Sequence, residues 1–395
     1  MSADSAPDLK HPWIMIVAGE PSGDAHAAGL VRALRSDDRR SPRFFGSGGR
    51  AMRDAGVELL LDVTRLSAIG PKAALANMGS YWSLFRGLTR EAERRRPSLA
   101  VLVDFPDFNL RLARRLRARG IPVCYFIAPQ VWAWRASRVK QIRRFVDLIL
   151  VILPFEEAYF GQHGIEARYV GNPTASRFAA LPTDAVVDHA ASEPVVALLP
   201  GSRRKEVSLI LPVQLAAVAE LSRRRKIRCW LIRAPEIPSD LMDELIRSWQ
   251  NEHGELPPME IREESAQVLL GQADVAIVKS GTSTLEAMLA GIPFAMVYKL
   301  PFSSWLLLRP FVRPQKYCLA NLVAGEDVAP EFVQGAAQPG EIAEFLDSVL
   351  RDPSLRHRIR QGLRRGAGRL GRSDAYAEAA SQIVQRYFEE IDVES

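Results

Sequence analysis

Two carboxylates, Asp104 and Asp107, follow an apolar run in the segment VLVDFPDFN, residues 101 to 109. A strand that ends there delivers both to the carboxyl edge of a sheet. One of them is then poised as a general base with the other orienting it, the arrangement an acceptor hydroxyl needs if it is to lose its proton while attacking an anomeric carbon. The same spacing also suits a plain structural role, with Asp107 capping a helix that begins near Asn109 and Asp104 standing in a turn. Spacing alone leaves both open.

Five other segments carry residues of chemical interest. In VAGEPSGD, residues 17 to 24, a strand runs into a Gly-rich turn and a helix. Gly19 and Gly23 allow a tight turn and close approach of a ligand, Ser22 or Asp24 can cap the helix, and Glu20 favours sugar hydroxyls over phosphate as partners. The G-x-G-x-x-G spacing of a dinucleotide site is absent. In APQVWAWR, residues 128 to 135, Trp132 and Trp134 beside Arg135 suit a stacking floor for a sugar or an apolar wall.

The segment LLPGSRRKEV, residues 198 to 207, repeats the strand, turn and helix order. Gly201 and Ser202 supply backbone donors and Arg203 a permanent cation, which together suit a diphosphate whose negative charge grows as it departs. In KSGTSTLEAMLAGIP, residues 279 to 293, Ser280, Gly281 and Thr282 open a helix, and Glu286 one turn on can accept both hydroxyls of a ribose. Between Tyr298 and Gly335, Trp305 and the leucines after it lie beside Arg309 and Arg313, an apolar patch with a cationic rim.

The elements that must position these residues are those of an α/β protein. Short runs rich in β-branched residues, at 13 to 18, 43 to 46, 98 to 103, 122 to 127, 147 to 152 and 167 to 170, alternate with amphipathic stretches at 24 to 35, 77 to 95, 109 to 119, 136 to 145 and 156 to 163. This is the signature of βαβ units around a parallel sheet. The pattern lapses between Pro173 and Pro194, then restarts with strands at 195 to 199, 228 to 233, 274 to 278 and 293 to 298, and from 339 onward the chain reads as helices. Two Rossmann-like domains are therefore expected, residues 1 to 178 and 179 to 372, with a terminal helix at 373 to 395 that packs back on the first domain or on a partner chain. Their parallel sheets are expected to face each other across a cleft at the strands' carboxyl ends.

Composition narrows the function. With 395 residues and 47% hydrophobic content, each half can bury a core. The three cysteines, Cys124, Cys229 and Cys318, lie far apart, which argues against disulfides and zinc and favours a reducing cytoplasm. No secretory signal or run of about 18 apolar residues is visible. The formal charge of +6 suits a nucleotide diphosphate, an acidic lipid surface or nucleic acid. Nucleic acid is disfavoured because neither aromatic-basic interleaving nor a helix-turn-helix cue is present.

Taken in order, AGEPSGD, DFPDFN, APQVWAWR, LPFE, LLPGSR with Glu206, SGTSTLE and NLVAG resemble the lipid-A-disaccharide synthase family of GT-B glycosyltransferases, over about residues 14 to 335. The resemblance implies transfer of 2,3-diacylglucosamine from its UDP derivative to 2,3-diacylglucosamine 1-phosphate (lipid X), giving a β-1,6 disaccharide and UDP. It implies that Asp104 is the base, that Glu20 belongs to the acidic opening motif, and that Arg203, Glu286 and Asn321 lie on the UDP-sugar side. Ser22, Gly23, Asp24, Asp107, Trp132 and Asn172 are expected on the acceptor side. A metal-independent reaction is expected, without a cofactor, in a cytoplasmic protein held peripherally at the inner membrane, with a homodimer as one arrangement open to it.

Three departures stand out. Gly171-Asn172-Pro173 replaces the family's usual Gly-His-Pro and removes a histidine proton donor, IGPKAAL at 69 to 75 differs where membrane approach is expected, and Lys279 precedes the Ser-Gly-Thr turn. Another UDP-GlcNAc-dependent GT-B transferase or a UDP-sugar epimerase is the alternative.

Overall fold

The computed structural model describes residues 11–36, 41–62, 78–132, 137–179, 193–301, 305 and 316–389. The chain divides into two compact units, residues 1–173 with 373–395, and residues 174–372. The helix Pro173–Ala179 thus falls almost wholly in the second unit instead of closing the first. The expected linker after it, and the segments 69 to 75 and 306 to 313, lie outside the described residues.

The first unit is built on a parallel sheet of seven strands: β1 (Trp13–Val17), β2 (Arg43–Gly48), β3 (Glu58–Asp62), β4 (Leu99–Val103), β5 (Val123–Phe126), β6 (Leu148–Val151) and β7 (Ala167–Tyr169). They stand in the order β3-β2-β1-β4-β5-β6-β7. The central strands read as unbroken apolar runs because both faces are covered. Ile14 and Ile16 of β1, with Leu99, Val101 and Val103 of β4, pack on one side, against the helices Pro21–Arg35 and Ala375–Val384. Met15, Val17, Ala100 and Leu102 pack on the other, against Met78–Arg95, Pro106–Arg117 and Arg138–Phe145. The two-residue side-chain period of a strand makes this division automatic.

The terminal helix is locked to the first unit by Tyr376. Its ring lies against Gly29, where a Cβ would come within 2.8 Å of it, and its hydroxyl meets His26 Nδ1 at 3.0 Å.

The second unit holds six parallel strands: β8 (Val195–Leu199), β9 (Arg228–Ile232), β10 (Met259–Arg262), β11 (Val275–Lys279), β12 (Phe294–Tyr298) and β13 (Glu331–Val333). Their order is β10-β9-β8-β11-β12-β13. In both sheets the order reverses beside the first strand, between β1 and β4 and between β8 and β11. In doubly wound sheets such a reversal opens a crevice at the strands' carboxyl ends, and ligands bind there.

Candidate active site

In the first unit the reversal brings the loop after β1, which holds Gly19 and Glu20, next to the loop after β4, which holds Asp104 and Phe105. Asp104 and Phe105 are both left-handed, with φ of 47° and 49°. Two such residues in succession are unfavourable for L-amino acids, and aspartate is among those that tolerate the region best.

The conformation is held through the main chain. The Asp104 amide donates to the Phe126 carbonyl at 3.2 Å, and the Asp104 carbonyl accepts from the Tyr125 hydroxyl at 2.5 Å and the Asn109 side-chain amide at 2.8 Å. Tyr125 is fully buried, and burial pushes its hydroxyl well above the ordinary tyrosine range, so it remains a donor. The Phe105 ring swings over Gly19, where a Cβ would come within 2.3 Å of it, and Tyr81 packs on Phe105 with centroids 6.0 Å apart. Gly19 is therefore required by the Phe105 ring, as well as by the turn.

Several acceptor-side residues have structural roles that spacing did not reveal. Asp24 is buried, and its carboxylate accepts from the amides of Gly49, Ala51 and Met52 at 2.7, 2.9 and 3.1 Å. It caps the neighbouring helix Arg50–Asp54 and not its own, whose N-cap is Glu20. Gly23 is buried and Ser22 exposed in the first turn of that helix. Asp107 is exposed in the first turn of Pro106–Arg117 and bonded to Arg138, so it pairs with a cation and does not cap the helix.

Asn172 is buried and donates to the Ile152 carbonyl at 2.9 Å. The Trp132 indole donates to Glu156 at 3.0 Å. Glu156, from the LPFE segment, is buried, and burial raises its carboxyl to about 7 against the opposing bonds from Trp132 and the Leu153 and Ile152 amides. Trp134 and Arg135 lie outside the described residues.

In the second unit the reversal joins the Gly201–Arg203 turn after β8 to the Ser280–Thr282 turn after β11, around a cavity of about 310 Å³. Gly201, Ser202, Ser280, Gly281, Thr282 and Glu286 all line it. Gly201 and Gly281 have φ of 119° and 130°, and a Cβ on Gly201 would come within 2.9 Å of Glu206. Thr282 begins a helix that runs to Ala290, and Arg204 begins one that runs to Ser222. The first amides of both helices have no acceptor within their own helix, which makes these turns donor-rich.

Glu206 accepts from Lys279 at 3.1 Å and from Arg203 at 3.3 Å. Lys279 thus ties the end of β11 to the helix after β8, and with Glu206 it lines the same cavity as a paired, half-buried cation. Glu286 is largely buried, and burial raises its carboxyl above the usual range against the opposing charge of Arg177.

Asn321 has a different place from the one expected of a ligand contact. It is buried in the helix Leu319–Ala324, its Nδ2 donates to the Ala329 carbonyl and to Glu331 at 2.8 and 2.9 Å, and its Oδ1 accepts from the amides of Val328 and Ala329 at 2.9 and 3.0 Å. Its side chain's capacity is used within the protein. Glu331 in turn accepts from the amides of Tyr317 and Cys318. The Tyr317 carbonyl accepts from Ser280 at 2.8 Å, and the Tyr317 ring packs near Tyr298 and Trp305. Asn321 thus supports the Ser280 turn through this chain of contacts. The three cysteines are free and buried, and burial raises their thiols.

Sequence reasoning missed Tyr125, Phe105, Tyr81 and Glu331 as supports. Tyr125 is one more apolar position in a strand, and only the sheet order brings its hydroxyl under Asp104.

A family model described as lipid-A-disaccharide synthetase matches residues 14–384. The lipid-A-disaccharide synthase of Myxococcus xanthus is 38% identical over 378 residues, covering 95% of this chain and 97% of its own. That of Koribacter versatilis is 34% identical over 384 residues, covering 94% and 99%. Among solved structures, a putative UDP-N-acetylglucosamine 2-epimerase from Listeria monocytogenes is similar with a TM-score of 0.63 at 11% identity, covering 96% of this chain and 97% of its own. The kitacinnamycin glycotransferase is similar with a TM-score of 0.60 at 16% identity, covering 95% and 99%. At such identities these two establish the GT-B type of fold and nothing finer.

Proposed function

This chain belongs to the lipid-A-disaccharide synthetase family, and on that premise we propose how its residues carry out the transfer. It is a glycosyltransferase that makes the lipid A disaccharide. In our reading the donor is UDP-2,3-diacylglucosamine, the acceptor is 2,3-diacylglucosamine 1-phosphate, and the products are the β-1,6-linked disaccharide 1-phosphate and UDP.

The transfer is a single displacement with inversion. Asp104 takes the proton of the acceptor's primary hydroxyl as its oxygen attacks the anomeric carbon and the bond to the diphosphate breaks. The charge that grows on the departing UDP is met by the donor-rich turns at Gly201–Arg203 and Ser280–Thr282, with Arg203 as the adjacent cation, and this requires no metal. Glu286 receives the ribose hydroxyls. On the acceptor side Glu20 binds sugar hydroxyls beside Asp104, and Trp132, fixed by Glu156, supplies a flat apolar surface. Asn172, at the position where the resemblance implies a histidine, acts as a hydrogen-bonding group, since it cannot donate a proton as an acid.

The observation that best supports this reading is the pairing of loops at the strand-order reversal in each unit: a carboxylate held by main-chain bonds in the first, and two helix starts around a cavity in the second. Because both substrates carry acyl chains, the reading includes peripheral contact with the cytoplasmic leaflet of the inner membrane. Among the described residues no helix is long and apolar enough to cross a membrane.

Incubation of the purified chain with the two lipid substrates in detergent, followed by mass detection, tests the assignment. The disaccharide 1-phosphate is expected, with no product when UDP-GlcNAc replaces the acylated donor. Transfer from UDP-GlcNAc with none from the acylated donor would assign the chain to a different substrate.

A further inference from the structure

The helices Pro106–Arg117 and Arg138–Phe145 lie side by side in the first unit and carry charge that the reaction does not use. Arg111, Arg114 and Arg115 stand at i, i+3 and i+4 on one of them, and Lys140 and Arg144 at i and i+4 on the other, so each set shares one face. All five are exposed, and Arg111, Arg114 and Arg144 line two adjoining hollows of about 750 and 500 Å³.

Among the described residues none of the five is ion-paired, whereas Arg117 and Arg119 at the margin pair with Asp147 and Glu93. Dipoles at the two helix ends account for a cation in each last turn. They do not account for five like charges gathered without carboxylate partners, since Asp107, one turn before Arg111, is bonded to Arg138; such an arrangement repels itself and costs helix stability.

A second feature adjoins the cations. Trp82 is 53% exposed, stacks on Phe85 with centroids 5.7 Å apart, and lies under the Arg86 guanidinium at 5.2 Å. It lines the larger hollow together with the arginines. An exposed indole beside cations is the composition found where a protein meets the headgroup layer of a bilayer. The patch is tied to the acceptor side by a run of ring contacts: Phe85, on which Trp82 stacks, packs on Phe108 at 5.8 Å, and Phe108 packs on Phe105, next to Asp104, at 5.2 Å.

We propose that this face docks the chain on a bilayer surface through anionic phospholipid headgroups. Guanidinium groups of Arg111, Arg114, Arg115 and Arg144 bind lipid phosphates, and Trp82 enters the interface at the edge nearest the acceptor loop. The inference rests on the reading that the substrates are membrane lipids, and it deepens that reading by naming the side chains of the first unit that make the contact. A bilayer is favoured over nucleic acid because, among the described residues, the one large exposed aromatic on this face is a single indole on the rim, without a series of rings for stacking bases.

The test is flotation of the full chain with phosphatidylcholine vesicles, with and without phosphatidylglycerol, at low and high salt. Wild type should float only with the anionic vesicles and lose binding as salt rises. At about 1 kcal/mol per charge near the surface, R114Q/R144Q should bind roughly thirtyfold less and R111E/R114E/R144E more than a hundredfold less. A control with the same change in charge in the other unit, K226E/R247E/R358E, should float like wild type.

Both patch variants should form disaccharide normally from detergent-dispersed substrates, which also shows that they fold. Patch variants that float like wild type, equal loss in the control, or flotation indifferent to phosphatidylglycerol would overturn the proposal, as would a gel shift with RNA that persists at a salt concentration releasing the vesicles. Absence of product from wild type in detergent would instead defeat the assigned reaction and leave the flotation result standing.

Discussion

Substitution of Asp104 separates its proposed role as the base from the demands of its backbone. Its backbone is left-handed and is held by main-chain bonds to Phe126, Tyr125 and Asn109, so these bonds survive any change of side chain. Asp104→Asn keeps a residue that tolerates this region while removing the basic carboxylate, and Asp104→Gly keeps the backbone freedom with no side chain at all. Asp104→Ala loses both, and the left-handed penalty for an ordinary L-residue is roughly 1–2 kcal/mol. Urea denaturation should therefore find the alanine variant about 1 kcal/mol less stable than the asparagine and glycine variants.

Turnover should be lost in all three, by on the order of 10²–10⁴-fold for removal of a positioned general base. Affinity for UDP, measured by calorimetry, should not change, because the turns proposed to bind it belong to the second unit. An asparagine variant turning over within a fewfold of wild type would refute the base assignment. Equal stability of the alanine and asparagine variants would refute the account of the backbone.

Two further outcomes are expected. Glu156 has its carboxyl raised to about 7 by burial, so the ionised form is disfavoured in the folded chain: its contribution to stability is full below the unfolded value near 4.5 and is lost as pH rises through 7. The loss is about 3 kcal/mol, so Glu156→Gln should gain stability relative to wild type between pH 5 and pH 8; parallel stability curves across that window would exclude the effect. Asn321→Ala leaves the amides of Val328 and Ala329 without their acceptor and should cost on the order of 3 kcal/mol, read by denaturation; a loss confined to UDP affinity would return Asn321 to the ligand.

The sequence by itself determined most of the frame. The central strands of both sheets were legible because burial on both faces leaves long apolar runs. The strands β3, β10 and β13 went unseen: each lies at a sheet edge and has no fully buried position, so no long apolar run marks it, whereas the edge strand β7 keeps the buried Ala167 and was foreseen. Order along the chain was enough to suggest the family, since motif succession is a one-dimensional property.

Tertiary structure alone decided which of the conspicuous residues have partners of their own. Asp24 caps a helix 25 positions away, counted to the first amide it accepts from, Lys279 closes an ion pair with Glu206 across 73 positions, and Tyr125 supports Asp104 from the adjoining strand. Hydrogen bonds and ion pairs act over about 3 Å of space, whatever the distance along the chain. Spacing in sequence shows which chemistry a residue is capable of, and only the folded chain shows what that capacity is already used for.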